Sequence, residues 1–169
     1  MLYDISVLPP TIKYHVHTDD VDLVNCIVFH PTLPFLAIGS EDAFTELYNI
    51  SALSPPSSTL PSSTLPSSTP SSLSLTAKYR FQHHDDTINS VMFHNTLQLL
   101  ATGSYDNTII LYDLTILPPS IKHRLGYYVG RAMFFHPILP LLVHGSINKT
   151  LLFYNLNFYN LNRISTTNL

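Results

Sequence analysis

The strongest constraint on this chain is that it repeats itself. Three segments align without a gap from an aromatic-histidine pair to an aromatic-Asp/Asn pair: FHPTLPFLAIGSEDAFTELYNIS from Phe29, FHNTLQLLATGSYDNTIILYDLT from Phe93 and FHPILPLLVHGSINKTLLFYNLN from Phe135. A partial fourth copy opens the chain, where LYDISVLPPTIKYH from Leu2 matches LYDLTILPPSIKHR from Leu111 at an offset of 109 residues. The closing pairs at Tyr3, Tyr48, Tyr112 and Tyr154 stand 45, 64 and 42 residues apart, so the unit is 42 to 45 residues long and the middle spacing holds an insert. A period of this size means a small unit that cannot bury its own apolar face and stacks on its neighbours.

The insert runs from Ser54 to Leu75, with SSTLP twice in tandem followed by SSTP. Serine, threonine and proline offer little apolar surface to offset the entropy of ordering, which predicts a disordered loop with polyproline II character. Loop length is inexpensive, so a neutral expansion is the simplest reading; a phosphorylated or proline-motif docking segment is the other. The chain then divides into the last strands of a preceding unit over 1–20, a first full repeat over 21–53, and the insert over 54–75. A second repeat follows over 76–115, a third over 116–157, and a tail or closing strand over 158–169.

Within the second repeat, INSVMF from Ile88, LLATG from Leu99 and TIILYD from Thr108 read as short strands separated by turns. Ile109 to Tyr112 are consecutive large side chains, which predicts a strand buried on both faces, whereas a sandwich strand alternates. Small sheets buried on both faces and recurring at this period describe all-β stacked blades. Gly39, Gly103 and Gly145 each precede Asp42, Asp106 and Asn148 by three residues, marking hairpin turns.

On these residues the chain resembles the WD-repeat β-propeller family. HHDDTINSVMFH from His83 stands where that family has its Gly-His segment; His84 matches its histidine, Thr102 its strand hydroxyl, Asp106 its turn aspartate, and Tyr112 the place usually held by Trp. The resemblance implies antiparallel four-stranded blades, in an incomplete arc of about three to four, each locked by a hydrogen-bonded chain. That implied lock comprises His84, Thr102, Asp106 and Tyr112, with Asp42, Tyr48, Asn148 and Tyr154 at the matching places in the other units. The chain contains no tryptophan, Ile38 and His144 replace the hydroxyl in the first and third units, and the third has LGYYVG from Leu125 in place of the histidine segment. Those two blades are expected to be more weakly locked than the second.

Composition narrows function by exclusion. A net charge of -3, from 8 basic and 11 acidic residues without a run of either sign, argues against nucleic acid and membrane partners. The single Cys26 lies in an apolar run and reads as a small core residue, which excludes an intrachain disulfide framework and fits a reducing compartment. The N-terminus lacks a basic n-region and no stretch reaches the length of a membrane span, so the expectation is an intracellular, cytoplasmic chain.

HHDD at His83 and HVHTDD at His15 contain metal-ligand residue types, but both fall where a repeat enters its first strand, so no metal or cofactor is assigned. His30, His94 and His136 recur once per unit and read as fold residues. His144 breaks the repeat on a strand expected near the propeller axis, and reads as a satisfied buried histidine. No nucleophile elbow or phosphate loop occurs, and no catalytic residue is assigned. Tyr105, Tyr127 and Tyr128 sit in turns as candidate partner contacts.

The expected function is a non-catalytic protein–protein interaction scaffold, an analogy from fold to role. The alternatives are a fragment of a longer propeller without activity of its own, a display scaffold for the Ser/Thr/Pro segment, and, least favoured, an enzyme with an axial histidine site. Open apolar blade faces suggest self-association or an outside partner that closes the ring.

Overall fold

The computed structural model describes residues 2–4, 11–15, 22–53, 71–72, 76–126, 129–146, 149–157 and 163–168. The first four-stranded antiparallel sheet takes β3 (Val24–Phe29), β4 (Phe35–Ser40), β5 (Thr45–Asn49) and β7 (Ala77–Phe81). The second takes β8 (Ile88–Phe93), β9 (Leu99–Ser104), β10 (Thr108–Asp113) and β11 (Ser120–Gly126), and the third β12 (Val129–Phe135), β13 (Leu141–Ser146), β14 (Thr150–Asn155) and β15 (Arg163–Asn168). Ahead of them β1 (Leu2–Asp4) pairs antiparallel with β2 (Thr11–His15), and β6 (Ser71–Ser72) adds to β2 in parallel. The sheets follow one another as an open arc.

Sequence repeat and sheet are out of phase. The Tyr-Asp or Tyr-Asn pair closes the third strand of a sheet, and the fourth comes from the start of the next repeat: β7 pairs with β5 across the insert, and β11 pairs with β10. Of the insert, Ser71–Ser72 forms β6 and the remainder lies outside the described residues.

The run Ile109 to Tyr112 is fully buried because its alternate side chains serve different neighbours. Ile110 and Tyr112 join Leu100, Val91, Ala37 and Leu47 in the core between the first and second sheets; Ile109 and Leu111 join Ala101, Met133, Leu142 and Leu152 between the second and third. Each large aliphatic side chain so enclosed contributes on the order of 1.5–3 kcal/mol.

The sheets approach closely across the first of these seams. A Cβ on Gly39 would fall on Ile88 Cγ2 and lie 2.8 Å from Cys26 Sγ and 2.9 Å from Val91 Cγ2, whereas one on Gly145 would meet nothing nearer than 3.9 Å. The tight turns place Ala43, Asn107 and Lys149 in the left-handed region at φ of 66°, 67° and 60°. Glycine at position 39 is therefore required by close approach between sheets, and the turn geometry is carried by the residue after Asp42.

Candidate functional site

In the second sheet four predicted residues meet in one chain of hydrogen bonds. His84 Nδ1 donates to Asp106 Oδ2 at 2.8 Å, and His84 Nε2 lies 2.8 Å from Thr102 Oγ1, which donates to it. Tyr112 in turn bonds Thr102. Asp106 also accepts from Thr108 N at 2.8 Å, Thr108 Oγ1 at 2.7 Å and Asp85 N at 3.0 Å, fixing the turn to the strand entry. Burial pushes His84 below the usual imidazole value against the opposing pull of Asp106. Burial also raises Asp106, but hydrogen bonds from Thr108, Asp85 and His84 outweigh it and hold the carboxyl below the usual range. Desolvation raises the Tyr112 phenol. With the imidazole neutral and the carboxyl ionised, the four donors from His84, Asp85 and Thr108 fill the Asp106 carboxylate and tie the turn backbone to the strand entry.

The first sheet is built otherwise. Ile38, at the Thr102 place, faces Glu46 across the ladder. Glu46 is buried, accepts from Tyr48 Oη, and pairs with Arg80 Nε at 3.0 Å; Arg80 reaches Asp42 at 3.6 Å and stands 3.8 Å over the Phe44 ring. Asp42 also accepts from Ser40 Oγ. The matching turn and strand residues are joined by an ion-paired set that runs through the fourth strand. Glu46 and Arg80 carry no family signature; the signal in the sequence was a glutamate amid the apolar strand residues Phe44 to Tyr48.

In the third sheet His144 is buried on β13, the second strand and so one strand out from β12. Its ring stacks on Tyr154 at 5.7 Å and 9° and its Nδ1 lies 3.2 Å from the Gly145 carbonyl oxygen. Asn148, Tyr127 and Tyr128 lie outside the described residues, while Tyr105 is exposed in its turn.

The recurrent histidines organise the turn between first and second strands. His30 Nδ1 accepts from Thr32 N and Leu33 N at 3.2 and 2.9 Å. His94 does the same for Thr96 N and Leu97 N at 3.1 and 3.0 Å, and His136 for Ile138 N and Leu139 N at 3.2 and 2.9 Å. The rings then reach the next sheet: His30 packs on Phe93 with centroids 4.7 Å apart and His94 on Phe135 at 4.9 Å. Among the described residues no group of three or more His, Cys, Asp or Glu side chains is placed to hold a metal ion. Cys26 is half-buried against the core, and desolvation pushes its thiol up to about 11.

Stacked four-stranded antiparallel sheets, packed against their neighbours and, in the first two, pinned by side-chain networks from turn to strand, define an open arc of propeller blades. The family model for the WD domain, G-beta repeat (WD40), matches residues 9–49 and 75–113. The two matched segments are WD repeats, with tyrosine where the family's tryptophan usually stands.

Among curated proteins, the nuclear distribution protein nudF of Aspergillus flavus and that of Aspergillus oryzae are each 30% identical over 133 residues, covering 65% of this chain and 29% of the relative. Among solved structures, that of Saccharomyces cerevisiae Sqt1 matches with a TM-score of 0.66 at 13% identity, over 92% of this chain and 38% of that one. A chain of the mitotic checkpoint complex matches with a TM-score of 0.63 at 16% identity, over 86% of this chain and 39% of that one. The chain therefore spans under a third of the length of these curated relatives, and the structural likenesses describe the fold.

Proposed function

We infer that this chain is a non-catalytic scaffold that binds protein partners through the end of the arc carrying the loops after first and third strands. The supporting observation is where large apolar side chains remain exposed. Leu33, Ile116, Leu117, Ile138 and Leu139 all lie in these loops. The loops are held side by side, with Ile50 N bonded to the Pro34 carbonyl, Leu114 N to Gln98 and Leu156 N to Pro140. Between the first two sheets at this end opens a cavity of about 410 Å³ lined mainly by Leu33, Phe35, Leu47, Phe93, Leu114 and Leu117. Clustered aliphatic groups on a soluble fold mark a contact surface, and a cavity beside them accepts an anchoring side chain. The polar networks of the sheets hold these loops in register and take no part in chemistry.

The test is a Leu33→Ser, Ile116→Ser, Ile138→Ser triple variant compared with the parent chain in quantitative affinity capture. The same proteins recovered in the same amounts by both would overturn the reading, whereas their selective loss with an unchanged circular dichroism spectrum supports it.

A further inference from the structure

One kind of side chain shapes all three loops after the first strands. Backbone bonds close the base of each loop, from His30 N to the Phe35 carbonyl, from His94 N to that of Leu99 and from His136 N to that of Leu141. The amides at the tips are held otherwise. Thr32 and Leu33, Thr96 and Leu97, and Ile138 and Leu139 each donate as a pair to a single imidazole Nδ1, at 2.9 to 3.2 Å. Two donors on Nδ1 require the neutral tautomer with its proton on Nε2. In His30 and His94 that Nε2 is buried, and the rings lie against Phe93 and Phe135 of the next sheet.

This chemistry makes the tip bonds conditional on charge. A proton on Nδ1 takes the lone pair that both amides use and sets one N–H against two others. The tip cannot keep its form around an imidazolium. Burial holds His30 and His94 below the ordinary imidazole value, with the Leu139 backbone drawing His94 partly back. Among the described residues no carboxylate pairs with any of the three rings, and no charged side chain shifts His30 or His94. An opened loop frees its imidazole to titrate near the ordinary 6.5, so the open form takes up the proton first as pH falls. The closed form, complete at neutral pH, is lost as pH drops below that value.

We propose that His30, His94 and His136 are acid-released latches on the loops that carry the contact surface. The amides they hold include those of Leu33, Ile138 and Leu139, three of the exposed aliphatic residues of that surface. Protonation loosens the backbone beneath these residues while the sheets stand, so the surface is shaped near neutral pH and dispersed in acid. That consequence rests on the contact surface inferred above; the latch itself does not.

The test is amide hydrogen exchange on the full chain, followed residue by residue by NMR between pH 7 and pH 5 and corrected for intrinsic exchange. Protection at residues 32–33, 96–97 and 138–139 is expected to fall at least about tenfold, and that in β9 and β10 to fall less. Proton–nitrogen correlation spectra at pH 7 are expected to show each of the three Nδ1 atoms without a proton. His30→Asn supplies the control: Asn49 and Asn155 accept from Ser51 N and Asn157 N at 2.9 Å in neighbouring turns, so asparagine offers the tip an acceptor that does not titrate. Its loop holds its protection in acid while the other two lose theirs. Should that variant not fold, His136→Asn serves in its place. An Nδ1–H tautomer at pH 7, loop protection that survives titration of the imidazoles, an equal loss in β9 and β10, or an asparagine loop that still opens in acid overturns the proposal. None of these readouts involves a partner, so a failed latch and a failed contact surface are told apart.

Discussion

The first and second sheets are a controlled comparison: nearly the same fold, the same turn aspartate and the same strand tyrosine, joined by different chemistry. The second uses a neutral histidine and a threonine hydroxyl, each donor aimed at one acceptor, in a buried line from Asp106 to Tyr112. The first uses a buried carboxylate and a part-exposed arginine from the outermost strand. A hydrogen-bond line loses most when an inner member is removed, because buried partners are left unsatisfied. An ion pair open to solvent on one side loses less. The same architecture thus reaches two levels of resistance to substitution, and with isoleucine at the hydroxyl place the polar contacts of the first sheet run through the fourth strand.

The widest gap between the sheets should come from that contrast. His84→Ala is expected to destabilise the chain by about 3 kcal/mol in urea unfolding, and Arg80→Ala by about 1 kcal/mol. Equal losses would dissolve the distinction. A second comparison lies between two glycines: Gly39→Ala places a methyl group among Ile88, Cys26 and Val91 and should cost about 2 kcal/mol, while Gly145→Ala, whose methyl group would meet Ala132 at an ordinary contact distance of 3.9 Å, should leave the melting temperature nearly unchanged.

The smallest effect expected is in acid. The folded value of His84 lies below its ordinary 6.5, so the unfolded chain takes up this proton first as pH falls, and stability present at neutral pH declines as pH drops through the ordinary value. Asp106 is also held low, so its contribution persists above the ordinary carboxylate value and fades at more acidic pH. Melting temperatures between pH 7 and 5 should therefore fall more steeply for the parent than for His84→Asn; parallel slopes would remove the histidine as the cause.

How far the sequence was legible depends on which strand is asked about. Ile88 to Phe93, Leu99 to Gly103 and Thr108 to Asp113 were read as strands and are strands, because apolar runs bounded by turn residues carry their own signal. Two of the fourth strands escaped: Ala77–Phe81 alternates half-buried with exposed residues and Ser120–Gly126 is mostly exposed, both at the edge of a sheet, and they lie in the next repeat. His84, Thr102, Asp106 and Tyr112 could be named from a family resemblance and are joined in space. Glu46 and Arg80 could not, since their pairing depends on a register set across the insert. The double acceptance at each histidine Nδ1 was hidden for a different reason: recurrence announces that a residue matters to the fold without saying which backbone groups it holds.

Because each repeat contributes its first strand backwards to the sheet before it, the sheets are laced together by the covalent chain as well as by side-chain packing. Pulled from its ends, such a stack cannot shed one sheet as a closed module: freeing β7 strips the edge of the first sheet while paying out the chain that leads into the second. The insert lies at this crossing, between β5 and β7, and its Ser71–Ser72 adds to β2.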